Sequence, residues 1–229
     1  MKIILRILGV IILALALLAV ATLAHAGLFT TITISEEEVG PYTIAYEYHV
    51  GSYYKVGPVM DGVYEDLKQM GIETNRGVGL YYDNPDDVPS EKLRSEVGSI
   101  LEASDLDKID QIKNELSTRE IPRQRALVAQ FPIKNMLSYM LAPAKVYKEM
   151  NLLWQQQSYP MSEYTIEIYD IPNKVITYIM PIEEIFMEEI ILEEPIVIEV
   201  NKIKEAQITK EATNDAVKEA SSTAESMTE

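Results

Sequence analysis

One pattern in this chain occurs twice, and no other feature constrains the fold as much. Residues 49–101 contain His49-Val50-Gly51-Ser52-Tyr53, an amphipathic stretch ending Val63-Tyr64-Glu65-Asp66, and then Leu80-Tyr81-Tyr82-Asp83-Asn84-Pro85. Residues 131–182 contain Phe131-Pro132-Ile133, then Val146-Tyr147-Lys148-Glu149, then Glu167-Ile168-Tyr169-Asp170-Ile171-Pro172. Each copy reads strand, helix, strand, strand. Two such half-folds facing one another leave a cleft between them, where a binding function can reside. The fold class is therefore α+β, built from duplicated units around a central cleft.

Local patterns place the elements. Thr30–Ile34 and Tyr42–Val50 are β-branched and aromatic, which predicts strands. Val56, Val59, Met60, Val63, Tyr64, Leu67 and Met70 recur at helical spacing, and Gly71 stops that helix. Gly77–Tyr82 reads as a strand, Ser90 as the cap of a short turn, and Val97–Leu101 as a further strand. Ser104-x-x-Asp107 has capping-box character, with Ile109, Ile112 and Leu116 on one stripe, so a short connecting helix is expected there. Arg125–Phe131 opens the second copy. A helix is expected from Asn135 to Trp154, kinked or restarted by Pro143. Tyr164–Tyr169 and Lys174–Met180 supply the last strands.

The two ends differ from this body. Lys2 and Arg6 precede an apolar run from Ile7 to Leu23. Residues 1–26 fit either a transmembrane anchor or a signal peptide cut after Ala24-His25-Ala26. The length of the run, close to spanning length, argues for the anchor. With the positive charges at the start and Glu36-Glu37-Glu38 after the segment, the positive-inside rule places the rest of the chain outside the cytoplasm, membrane-anchored or secreted after cleavage. Residues 184–200 interleave glutamates with apolar residues and read as a cover for a sheet edge or as a docking segment for a protein partner. Residues 201–229 have no aromatics and no sustained apolar stripe, so a disordered tail is expected.

Composition excludes several functions. The chain of 229 residues has no cysteine, so a disulfide framework and Cys-based metal sites are ruled out. Twenty Lys and Arg against 36 Asp and Glu give a net charge of −16, with no basic face of the kind nucleic acid requires. His49 reads as fixing a strand end, and no metal or cofactor is expected.

His49-x-Gly51-x-Tyr53, the helix after it, and the Glu167-x-Tyr169 strand followed by Met180-Pro181-Ile182 resemble the GyrI-like small-molecule-binding domain. That domain shares its fold with SOUL haem-binding proteins and with effector-binding domains of transcription regulators. Tyr81-Tyr82-Asp83-Asn84-Pro85-x-x-Val88-Pro89, Val97-Gly98-Ser99-Ile100-Leu101 and Phe131-Pro132 before Leu137-Ser138 bring it closest to a membrane-anchored branch that includes a testis-expressed ER-phagy receptor. The resemblance covers about Leu28 to Glu183, which marks residues 28–183 as the domain. The N-terminus here is basic where that receptor's is acidic, and the tail is short, so the receptor's role does not carry over.

Strand periodicity puts Thr165, Glu167 and Tyr169 on one face, and the alignment of the two copies puts Leu80 and Tyr82 at the matching positions. If the helices cover that face, Glu167, Tyr169 and Tyr82 look into the cleft, where Trp154 and Tyr178 extend an aromatic box and Tyr53 adjoins it. The resemblance implies that the matching glutamate contacts cationic or polar ligands, and a carboxylate among ring faces attracts a desolvated cation. A plainer reading pairs Glu167 with Arg94, Arg125 or a backbone amide, since buried carboxylates are usually paired. Three functions follow: a cleft for a small apolar or cationic molecule, a membrane-tethered protein-interaction module with a filled cleft, or, as the resemblance implies because some GyrI-like relatives are hydrolases, a hydrolase using Glu167 with a tyrosine. No set of catalytic residues stands out beyond that pair.

Overall fold

A computed structural model of the chain describes residues 2–160 and 162–182. The expectations for residues 184–200 and 201–229 lie outside the described residues. Helix α1 (Lys2–Ala26) is followed by strands β1 (Ile34–Val39) and β2 (Tyr42–Val50), helix α2 (Val56–Gln69), and strands β3 (Arg76–Tyr81) and β4 (Arg94–Leu101). The one-turn helix α3 (Ile109–Ile112), β5 (Ser117–Ile121), β6 (Gln124–Pro132), the long α4 (Met136–Gln157), β7 (Thr165–Asp170) and β8 (Val175–Pro181) complete the described chain.

All eight strands form one antiparallel sheet in the order β1-β6-β8-β7-β3-β4-β2-β5. That order dictates its shape. β1 and β2 stand six strand spacings apart, about 29 Å in a flat sheet. The chain from Val39 to Tyr42 spans at most about 11 Å. The sheet must therefore curl, and it forms a half-barrel whose two ends meet at the connecting turns. Gly40, with φ +83°, lies so near the Pro122 carbonyl that a Cβ there would sit 2.9 Å from its oxygen.

The inner face of the curl is filled by Ile44, Val78, Leu80, Ile100, Val128, Ile166, Ile168 and Ile179. Helices cover the outer face. α2 buries Val63 and Leu67 against Ala45 and Leu101, and it ends where Gly71 takes φ +73° while the amide of Ile72 returns to the Leu67 carbonyl. α4 buries Ala142, Val146 and Met150 against Leu127, Ala129, Phe131, Ile176 and Tyr178. The segments β2-α2-β3-β4 and β6-α4-β7-β8 take matching places in the strand order, with β3 and β7 adjacent at the middle.

Several expectations change. The first strand is displaced from 30–34 to Ile34–Val39. β5 had no counterpart in the sequence reading. The capping box falls on Glu102 and Asp105, closing the start of a 3-10 turn over Ala103–Lys108. α4 runs through Pro143 as a single helix, because proline removes one amide from the ladder while the turns on either side stay bonded.

Candidate functional site

The middle of the outer face, over β3 and β7, is where the two helices' cores leave off. Cross-strand register sets its contents. Glu167 lies opposite Gly79 on one side and Tyr178 on the other, and Tyr169 lies opposite Gly77 and Ile176. Glu167, Tyr169, Tyr178, Gly77, Gly79 and Tyr81 therefore share the helix-covered face.

Glu167 is 6% exposed. Its two oxygens accept from the Tyr147 hydroxyl at 2.9 Å and the Tyr169 hydroxyl at 2.6 Å. With the Tyr169 proton so engaged, Tyr81 donates to the Tyr169 oxygen over 3.1 Å, and Thr165 donates to Tyr147 over 3.1 Å. Two chains of hydroxyls thus converge on one carboxylate, each link polarising the next. Burial is the largest influence on Glu167 and pushes its pKa up to about 7, with the two tyrosine hydrogen bonds working against the rise. Burial and the Glu167 charge both drive the Tyr81, Tyr147 and Tyr169 hydroxyls upward, so all three stay protonated donors.

The aromatic walls are packed edge and face. Tyr147 meets Tyr178 edge-on at 5.3 Å, Tyr139 stacks on Tyr169 at 6.2 Å, and Tyr53 meets Tyr81 edge-on at 4.8 Å. The Tyr178 hydroxyl is buried without a hydrogen-bond partner. Gly77 and Gly79 leave the floor bare, and neighbours occupy the space. A Cβ at Gly77 would lie 2.7 Å from the Met60 sulfur, and one at Gly79 would lie 2.7 Å from the Tyr81 hydroxyl oxygen.

Not every residue singled out from sequence is here. Tyr82 points to the inner face, where it packs against the inner core and its hydroxyl accepts from Arg119 at 2.8 Å. The alignment of the copies is off by one residue, because Gly79 pairs with Glu167 and so the odd-numbered residues of β3 share its face. Trp154 lies two turns beyond Tyr147 on α4, its indole donating to the Pro160 carbonyl at 3.1 Å. Tyr53 reaches the site through Tyr81, its own hydroxyl held by the Arg94 carbonyl and the Asp83 amide. Neither arginine considered as a partner reaches Glu167: Arg94 pairs with Asp83 at 2.8 Å and Arg125 with Glu36 at 2.9 Å.

Tyr147 and Tyr81 were not named as site residues from sequence, and Thr165 was placed on the face of Glu167 without a role. Tyr147 comes from another element, and only the packing of α4 brings it over the sheet. Tyr81 had a signal in Gly77-x-Gly79-x-Tyr81, in which one strand face is stripped bare beside a single ring.

Comparisons with known proteins bear on the domain as a whole. The mouse testis-expressed protein 264 homolog is 30% identical over 136 residues, which is 56% of this chain and 42% of that protein. Human testis-expressed protein 264 is 26% identical over 172 residues, 69% of this chain and 53% of that protein. The chain thus spans about half the length of these relatives. Among solved structures, EcmrR in a DNA complex aligns at 12% identity with TM-score 0.48, covering 79% of this chain and 70% of that one. SAV2435 bound to tetraphenylphosphonium aligns at 11% identity with TM-score 0.42, covering 66% of this chain and 94% of that one. The sequence profile of the GyrI-like small molecule binding domain matches residues 32–183, and the chain belongs to that family.

Proposed function

We propose that the domain binds a small apolar or cationic molecule between α2 and α4, with Glu167 as its polar anchor, and that α1 holds it at a membrane. One observation carries the binding reading: a carboxylate 6% exposed, ringed by tyrosines, with no ion pair to it among the described residues. A buried carboxylate whose bonds all come from neutral hydroxyls takes up a proton or a cation at little cost. Tyr53, Tyr81, Tyr169 and Tyr178 supply ring faces for a lipophilic cation. Met60 and Tyr81 lie over the two bare glycines, so a ligand enters by displacing them onto other rotamers.

Tethering is supported by the 25 residues of α1, long and apolar enough to cross a membrane. Lys2 and Arg6, in the first turns of α1, support an orientation with the domain outside the cytoplasm.

A second reading, an interaction module with a filled cleft, is favoured by the tight seating of Met60 and Tyr81 over Gly77 and Gly79. Thermal unfolding of the full chain in detergent separates the two, with tetraphenylphosphonium and neutral aromatics of similar size as probes. The binding reading predicts a raised midpoint with the cation that Glu167→Gln abolishes. No shift with either class of probe refutes it and leaves the interaction module.

A further inference from the structure

The end of α1 is built into the domain. Ala26 is fully buried, and its carbonyl accepts from the Ser138 hydroxyl at 3.0 Å. Gly27, at φ +110°, packs so tightly on the Phe131 ring that a Cβ would lie 2.6 Å from it. The Leu28 carbonyl accepts from Lys145. The rest of α1 projects clear, its 18-residue apolar window entirely outside the protein core. The surface around Ser138 is therefore the part of the domain nearest the end of the span.

That surface has an unusual composition. Met136 and Met140, on the turns flanking Ser138, are 79% and 64% exposed, and Phe29 beside the helix end is 74% exposed. Ile171, 57% exposed, tips the β7–β8 turn, which the Ile133 amide ties in through a 2.7 Å bond to the Lys174 carbonyl. Lys134 and Lys174 are exposed in the same two segments. The carboxylate there, Asp170, is turned to Asn173, which donates to it from its amide and its side chain. Four exposed apolar side chains with flanking lysines match the chemistry of a bilayer surface, apolar at acyl depth and anionic at the phosphates.

We propose that this rim, formed by Phe29, Met136, Met140 and Ile171 with Lys134 and Lys174, docks into the headgroup layer of the bilayer that α1 crosses. The proposal rests on the tethering reading above. α1 measures about 37 Å, against about 30 Å of hydrocarbon, so its end reaches the headgroup layer. Met136 and Met140 lie about 3 Å of helix rise to either side of Ser138, on the face of α4 turned away from the core. The fixed junction at Ala26–Leu28 leaves the domain no free linker on which to swing away.

The chain has no cysteine, so single labels are unambiguous. Met136→Cys, Met140→Cys and Ile171→Cys, each carrying a polarity-sensitive fluorophore, are placed in the full chain reconstituted into phosphatidylcholine vesicles. Tyr48→Cys, 57% exposed at the opposite end of the sheet, is the control. Docking predicts blue-shifted emission at the three rim sites, quenching by doxyl-labelled lipid, and several-fold less quenching by aqueous iodide than at position 48. Rim labels as open to iodide as the control, on chain that floats with the vesicles, overturn docking and leave the tether intact. Chain that fails to float overturns the tether and docking together.

Discussion

Replacing Glu167 with glutamine isolates the cost of burying its charge. The unfolded carboxyl ionises near 4.5 and the folded one near 7. Between those values the folded protein holds a proton that the unfolded chain has released, so stability falls as pH rises. The loss is absent below pH 4.5, grows through the window and is complete above 7. At 1.36 kcal/mol per pH unit it amounts to roughly 3 kcal/mol. Glutamine is neutral throughout. It accepts from one tyrosine and turns its NH2 toward the other, a mismatch of about 1–3 kcal/mol that does not vary with pH.

The stability of the parent relative to Glu167→Gln should therefore fall by roughly 3 kcal/mol between pH 4.5 and 8. For a domain of this size that is about 6–12 °C in the difference between the two midpoints. Asp83, held low by Arg94, and Asp170, held low by Asn173, lose stability on acidification, but both proteins contain them and the difference cancels. The assay is thermal unfolding of both full chains in one detergent across that pH range. A difference that stays flat would show that Glu167 ionises freely in the fold. A parent that gains on the variant as pH rises would mean a cation holds the carboxylate charged. Either result refutes the reasoning.

Tyr178→Phe removes a buried hydroxyl that has no partner, so unfolding should show a protein as stable as the parent or about 1 kcal/mol more so. A loss above that size would reveal a bond the hydroxyl makes. Ser138→Ala deletes the hydroxyl that bonds Ala26 and accepts from the amides of Lys134 and Asn135, and should cost about 2–3 kcal/mol by the same measurement. Gly98→Ala drives a Cβ into the Ala45 carbonyl, where two backbones rather than a flexible side chain must part. It should cost at least about 3 kcal/mol, and an alanine variant that melts with the parent would disprove that close approach of β2 and β4.

The interior strands were legible because a half-buried strand has a period-two signal. Tyr42–Val50 was placed to the residue, and β7 and β8 to within one. The two edge strands were not. β1 reads Ile-Ser-Glu-Glu-Glu-Val and β5 reads Ser-Thr-Arg-Glu-Ile. Both have the charged residues that keep exposed edges from pairing with other chains, and those residues erase the apolar alternation that would reveal a strand. The curl of the sheet was equally hidden. It follows from which strands pair, and pairing between distant segments leaves no local mark.

The candidate site divides along the same line. Glu167 and Tyr169 share a face because they are two residues apart, and that can be read from one strand. Which ring lies opposite depends on register, and a one-residue slip exchanges one face for the other. That is how Tyr82 stood in for Tyr81. The cross-strand row supplies the missing constraint. Glu167 is flanked by Gly79 and Tyr178, and a side chain at Gly79 would collide with the Tyr81 ring that lies across it. The glycine thus makes room for an aromatic beside a buried carboxylate, which a core built only for stability would fill with an aliphatic pair. A carboxylate pushed up to about 7, a buried hydroxyl left without a partner and two bare glycines all fall between β3, β7 and β8. Each departs from optimal packing at some cost, and their coincidence at one place supports the ligand-binding reading proposed above.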